Sequence, residues 1–218
     1  MYSLHCHSLL SDGELLPSEI AIRYLSLSYK AIAITDHADY SNIEWVVKAI
    51  LKFTRNWPKK AIPIKVLPGV ELTHLPLEQF SPLAKYARKA GIKVIVAHGE
   101  TLVEPVLKGT NRACLEADID ILAHPGLIND SDVALAKRKG IFLEVTTRHG
   151  HSDTNAHVVE RALKFSARLI LNNDSHTPED IIPQEQLIDI GRKAGLSLDE
   201  INIIFEDVAK FLKAKEAE

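Results

Sequence analysis

Cysteine is scarce in this chain. Cys6 and Cys114 are the two among 218 residues, too few for a disulfide scaffold. Long hydrophobic runs are missing as well: no stretch of about eighteen apolar residues is present to span a bilayer. The N-terminus reaches a chemically loaded segment at His5, which leaves no room for a cleaved signal sequence ahead of it. The expectation is a cytoplasmic protein with no membrane partner. Charge of one sign is lacking too. The formal net charge is −3, so no broad basic field draws nucleic acid from a distance. Aromatic residues make up 6% and do not stud a basic groove. There is no low-complexity linker and no repeat beyond a strand–helix unit, so residues 1–218 are expected to form one domain. The 46% hydrophobic fraction supplies a buried core, and the 25% charged fraction supplies a solvated surface.

Seven apolar runs read as strands, over residues 2–5, 31–35, 64–70, 93–97, 119–123, 141–145 and 169–172. Between them, helical periodicity marks residues 17–29, 43–53, 77–90, 130–139 and 155–167. A final helix opens on the capping box Ser197-Leu198-Asp199-Glu200, and its stripe of Ile201, Ile204, Phe205, Val208, Phe211 and Leu212 is expected to pack on the outer wall of the sheet. Residues 213–218 read as its frayed, solvated end. Such alternation predicts an α/β fold with a parallel sheet and right-handed crossovers.

The strands share one property: they finish in metal-binding types of residue. In order the endings are His5-Cys6-His7, Asp36-His37, Glu71, His98, His124, Glu144 and Asp174-Ser175-His176. Imidazole nitrogens and carboxylate oxygens hold zinc, manganese or iron. Ligands contributed by every strand converge if the strands form a ring, so a TIM-like barrel is expected rather than an open sheet. On the first strand His5 and His7 share a face, about 7 Å apart, with Cys6 turned to the core. Ser11-Asp12-Gly13 is a tight turn able to return the Asp12 carboxylate to the same mouth. Glu71 has two oxygens and can bridge two cations, which an imidazole cannot. Asp36 and Glu144 are candidates for holding a ligand in place from behind.

The ordered set His-x-His-Ser, Ser-Asp-Gly, Thr-Asp-His, Gly-x-Glu, a lone His, Ala-His-Pro-Gly and Asp-Ser-His, running from His5 to His176, resembles the PHP (polymerase and histidinol phosphatase) superfamily. The resemblance implies a distorted (β/α)7 barrel that holds two or three divalent ions and cleaves phosphate esters. It also implies three ligand sets: His5, His7, Glu71 and Asp174; Glu71, His98 and His124; and Asp12, His37 and His176.

The segment after the sixth strand, Thr146-Thr147-Arg148-His149-Gly150-His151, opens at the same mouth. Arg148 offers a guanidinium suited to forked phosphate binding, and His149 and His151 are candidates for substrate contact or proton donation. His74 reads as a loop residue near the site, and His157, Glu100 and Glu104 read as solvated. The predicted activity is a metal-dependent phosphoesterase in which Glu71 and Arg148 carry the chemistry. Its expected substrate is a small phosphate monoester such as histidinol phosphate, attacked by a water activated between cations about 3.5–4 Å apart. Cleavage of a phosphodiester at the 3′ end of a short nucleic acid is the alternative. A non-catalytic metal-binding barrel is disfavoured because every ligand position is filled, and an amidohydrolase because no lysine ends a strand.

Overall fold

Residues spaced two apart sort onto the two sides of a ring of parallel strands. The computed structural model describes residues 1–58 and 60–217, with side chains as far as residue 215. Its strands are β1 (Tyr2–Ser3), β2 (Ala31–Ile34), β3 (His37–Ala38), β4 (Lys65–Leu72), β5 (Val94–His98), β6 (Ile121–Ala123), β7 (Phe142–Thr146) and β8 (Leu169–Asn172). They run in the order β1-β2-β4-β5-β6-β7-β8, and β3 continues beyond β2 along β4. The ring is drawn together where the chain leaves β1 and β8. There His7 N donates to Ser175 O (2.8 Å), Asp174 N donates to His5 O (3.1 Å), and Cys6 bridges Ser175 in parallel. With helices between the strands, this is the expected distorted (β/α)7 barrel.

The helices are α1 (Pro17–Ser26), α2 (Ile43–Asn56), α3 (Phe80–Ala90), α4 (Thr110–Glu116), α5 (Asp130–Lys139), α6 (Asn155–Phe165), α7 (Gln184–Lys193) and α8 (Leu198–Ala217). Sequence periodicity places α5 at its observed bounds. Asn129 caps it by accepting from Asp132 N, and Gly140 ends it at φ +70°. It overshoots α1, which stops before Ser28 takes φ +64° and Tyr29 turns inward to donate to Ile182 O (2.9 Å). It misses α4 and α7, two short helices with few buried apolar points.

From β2 onward, inward and outward positions alternate. Ala31 and Ala33, Leu67, Val94 and Val96, Ile121 and Ala123, Phe142 and Ile170 fill the barrel interior. Their neighbours Ile32, Ile34, Val66, Ile95, Leu122, Leu143 and Leu171 face the helices. Strands buried on both faces explain why these runs are almost continuously apolar. Gly69 is inward too: a Cβ there would press on the Thr35 methyl (2.6 Å) and the Ile34 carbonyl oxygen (2.9 Å).

The final helix departs from expectation. Ile201 and Ile204 of α8 join the outer apolar layer, but Val208 and Leu212 belong to the barrel interior, with Phe211 beside them. Thus α8 crosses the floor of the barrel instead of lying along its wall. The Phe211 ring meets Phe142 edge-on at 5.4 Å, and Arg168 lies over Phe142 while bonding Asp207 (2.8 Å). Ser197 and Glu200 make the anticipated capping box. The expected frayed end is helical to Ala217, and Lys215 is drawn back onto Asp120 (2.9 Å). Glu218 lies outside the described residues.

Candidate metal centre

Each inward file of side chains begins in the apolar floor and ends in a polar group at the mouth. Leu67 and Gly69 lead to Glu71, Val94 and Val96 to His98, Phe142 to Glu144, and Ile170 and Asn172 to Asp174. On β1 the alternation slips by one residue. Leu4 and His5 both face inward, and Cys6 packs in the outer layer with its thiol on Ala33 O (3.1 Å). The slip places His5 and His7 together while keeping Cys6 out of the mouth.

The innermost group is a cage of four donor atoms. His5 Nε2 lies 3.4 Å from Glu71 Oε2 and 3.5 Å from Asp174 Oδ1, and His7 Nε2 lies 3.5 and 3.3 Å from the same two oxygens. Atoms about 2.0–2.1 Å from a shared ion stand about 2.8–3.4 Å from one another, depending on the angle between them, so these contacts are about the size that one ion bridges. The other oxygens of both carboxylates turn to His124, whose Nε2 is 3.8 Å from Glu71 Oε1 and 3.7 Å from Asp174 Oδ2. A further group forms at the rim, where Asp12 Oδ1 is 3.4 Å from both His37 Nε2 and His176 Nε2, and it joins the cage through His37 Nδ1, 2.8 Å from Glu71 Oε2.

These atoms are short of partners. His5 Nε2, both nitrogens of His7, both oxygens of Glu71 and His124 Nδ1 are buried without a well-formed hydrogen bond. Burying polar groups unpaired is costly, so an ordinary core would not collect them here. Burial and the neighbouring His37 push His7 down to about 3. Burial and His98 likewise lower His124. Burial alone would raise the carboxyl of Glu71, but His5 and His37 hold it well below the usual range. Against the burial that would lower them, the facing carboxylates raise His5 and lift His37 to about 10, so with no cation between them these rings hold protons that a metal would displace. The donor set therefore fits divalent metal.

Residues 3–109 match the PHP domain family. An uncharacterized protein of Methanocaldococcus jannaschii is 41% identical over 201 residues, covering 92% of each chain. The chain belongs to the PHP family. DNA polymerase/3′-5′ exonuclease PolX of Bacillus subtilis is 23% identical over 235 residues, matching 96% of this chain to 40% of PolX. A chain in the cryo-EM structure of archaeal ribonuclease P with mature tRNA superposes at a TM-score of 0.70 with 17% identity, over 98% of this chain and 91% of that one. A Xaa-Pro dipeptidase crystallised with methionine gives 0.61 at 9% identity, over 99% and 75%. At such identities these two likenesses speak for the barrel alone.

In this PHP domain two acidic residues support the cage from behind, in different ways. Glu144 Oε1 is 2.7 Å from His5 Nδ1 and accepts from Asn172 Nδ2 (2.9 Å), and Glu144 Oε2 accepts from His124 N (3.2 Å). Asp36, expected to hold a histidine, instead accepts from Ser8 N (2.7 Å), Ser8 Oγ (2.8 Å) and Ser11 Oγ (2.9 Å). It therefore fixes the turn that carries Asp12.

The cage opens into a pocket of about 430 Å³ lined in part by Asp12, Asp39, Glu104, Asp174 and one guanidinium, Arg148. Arg148 also reaches Asp180 (3.4 Å). Of the two histidines expected beside it, His151 is buried on the pocket wall, with its ring stacked on His124 at 4.3 Å. His149 is exposed and is not part of the lining. His157 is not simply solvated, because its Nε2 donates to Ile128 O (2.8 Å). Glu104, read as solvated, is not legible as a site residue, and His74 is legible only as a loop residue near the site. Glu104 turns inward onto His98 (2.9 Å), and His74 approaches the same carboxylate (3.1 Å). Their loops follow no strand pattern that would announce them. Backbone strain gathers at the centre: His74, His124 and Asp174 all have positive φ, at 53°, 28° and 50°.

Proposed function

We propose that residues 1–218 act as one PHP-type barrel that hydrolyses a phosphate ester with the help of two or three divalent ions, most simply a small phosphate monoester. The observation that carries this reading is the cluster of His5, His7, Glu71 and Asp174, in which each imidazole Nε2 lies 3.3–3.5 Å from an oxygen of both carboxylates, about the spacing of atoms that share an ion. Glu71 and Asp174 each offer a second oxygen to His124, so a second position would take Glu71, His124 and His98, the last with its ring 4.3 Å from that of His124. Asp12, His37 and His176 would make the third. When bound, such ions neutralise phosphate oxygens and make water acidic enough to supply a nucleophile near neutral pH.

The chain's own groups do the rest. Four carboxylates against one guanidinium give a pocket that repels phosphate by itself, so its affinity for an ester depends on the cations it holds. Arg148 binds a non-bridging oxygen by a charge-assisted bond once the ester displaces Asp180 from it. His151 lines the pocket, with Nδ1 2.7 Å from Thr101 Oγ1 and Nε2 3.4 Å from Glu104 Oε1, and can contact the ester from there. The buried walls around Glu144 and Asn172 keep water away from the back of the cage.

The PolX relative, named for a 3′-5′ exonuclease, supports a second reading, cleavage of a phosphodiester in nucleic acid. One experiment separates them. Phosphate release from histidinol phosphate and generic monoesters is compared with cleavage of a model diester, each with zinc, manganese or chelator. Metal-dependent monoester turnover supports the first reading and diester preference the second. Inactivity on all of them with metal bound removes the support for both.

A further inference from the structure

Two loops outside the strand pattern place a carboxylate and an imidazole on the solvent side of the second metal position. Glu104 Oε2 lies 2.9 Å from His98 Nε2 and 3.1 Å from His74 Nε2, and its Oε1 lies 3.4 Å from His151 Nε2. The rings of His74 and His98 stand 4.6 Å apart. The other nitrogen of His98, Nδ1, is 3.0 Å from the Gly99 carbonyl oxygen, which accepts only. Nδ1 therefore donates, and Nε2 is the nitrogen that faces Glu104. The carboxylate oxygen and the two Nε2 atoms are close enough to share one cation. Ligands about 2.0–2.1 Å from an ion are separated by about 2.8–3.0 Å at right angles and about 3.3–3.4 Å in a tetrahedron, and the contacts of Glu104 with His98 and His74 fall between those limits.

We infer that Glu104 and His74 are further ligands of the ion that His98 holds. With His98 they form a face of two imidazoles and one carboxylate, a set suited to zinc, manganese or iron. The inference rests on the metal reading above and adds two loop residues to it.

The surroundings are built for this contact. His74 adopts φ +53°, an unfavourable backbone for a residue with a side chain. The Glu104 loop is tied down at both ends. Glu100 Oε1 accepts from Gly109 N (2.9 Å) and Asn111 N (3.0 Å), and Thr101 Oγ1 bonds His151 Nδ1 (2.7 Å). The bond between Thr101 Oγ1 and Nδ1 orients the His151 ring so that Nε2 faces Glu104 Oε1. His151 is thus a positioning residue for Glu104, leaving Oε2 to the ion. The added carboxylate neutralises part of the ion's charge and retains it.

The test is metal uptake by the full chain, stripped with chelator and titrated with Mn²⁺ or Zn²⁺. Bound ions per chain and their affinities are read by equilibrium dialysis and elemental analysis for the wild type, Glu104→Gln and His74→Ala. Circular dichroism in chelator checks that each variant is folded. Each variant is expected to weaken one ion by at least about ten-fold, the lower bound for losing even an outer partner of a ligand, and to leave the remaining ions unchanged. Wild-type uptake with both variants unaltered overturns the inference and leaves the metal reading standing, with Glu104–His98 an ordinary ion pair. A wild-type chain that takes up no ion overturns the metal reading itself.

Discussion

Glu144 Oε1 and His5 Nδ1 lie 2.7 Å apart with both side chains wholly buried. The carboxylate accepts the hydrogen bond of Nδ1 and fixes the ring, so Nε2 is the nitrogen that faces Glu71 and Asp174. The same carboxylate holds Asn172 and the backbone of His124, linking three strand ends. Glu144→Gln keeps the shape but offers His5 a weaker acceptor. Metal affinity should fall about 10- to 100-fold, measured by dialysis against a competing chelator. Unchanged affinity would reduce Glu144 to a structural acid.

Arg148 is the one Arg or Lys side chain on the pocket wall among the described residues. Arg148→Ala should lower kcat/KM on a phosphate ester about 10- to 100-fold, the worth of one charge-assisted hydrogen bond. Metal content should not change, since the guanidinium touches no candidate ligand. Steady-state kinetics beside metal analysis checks both halves, and full activity in the variant would confine Arg148 to its contact with Asp180.

How far the sequence carries is visible in these two residues and in Glu104. Glu144 and the ligands on β4, β5 and β8 are legible because the period of a strand is two, so an inward file that starts in Val94 and Val96 must deliver His98 inward. Arg148 is legible as a loop residue at a known end of a barrel. Glu104 is not, since its position is set by hydrogen bonds from Glu100 to Gly109 and Asn111, contacts between residues with no periodic relation. The slip at His5 was hidden for a similar reason: the register there is set by Ser175, far along the chain. The path of α8 depended on where its apolar stripe could find uncovered surface, which is a property of the assembled ring.

Gly126 follows His124 and Pro125 at φ +60°, and a Cβ there would meet the Glu100 carbonyl oxygen. Gly126→Ala should cost about 2–4 kcal/mol through overpacking and left-handed strain. Urea denaturation in chelator measures it without a contribution from bound ions. A loss below about 0.5 kcal/mol, typical of a neutral surface change, would mean that the Glu100 loop yields freely.

Burial pushes the phenols of Tyr24 and Tyr29 up. Their rings meet edge-on at 4.7 Å, and Tyr29 donates to Ile182 O (2.9 Å). A folded-state pKa above the unfolded value of about 10 means that the folded chain keeps protons which the unfolded chain gives up. Stability is therefore complete below about pH 10 and declines as pH rises from there toward the folded-state values. Denaturation followed across that range should show the decline, and Tyr24→Phe/Tyr29→Phe should flatten it. An equal slope in the double variant would assign the alkaline loss to other groups.

The helix across the barrel floor has a consequence for how the molecule is made. A nascent chain that has emerged only to His176 already carries every candidate ligand, yet the cylinder that should present them is unstoppered, with Leu67, Phe142 and Ile170 open to water from below. Val208 and Leu212 are still inside the ribosome at that moment. Translation thus completes the chemistry before the vessel that contains it, and a chaperone meeting this intermediate would find its greasy end opposite the polar mouth.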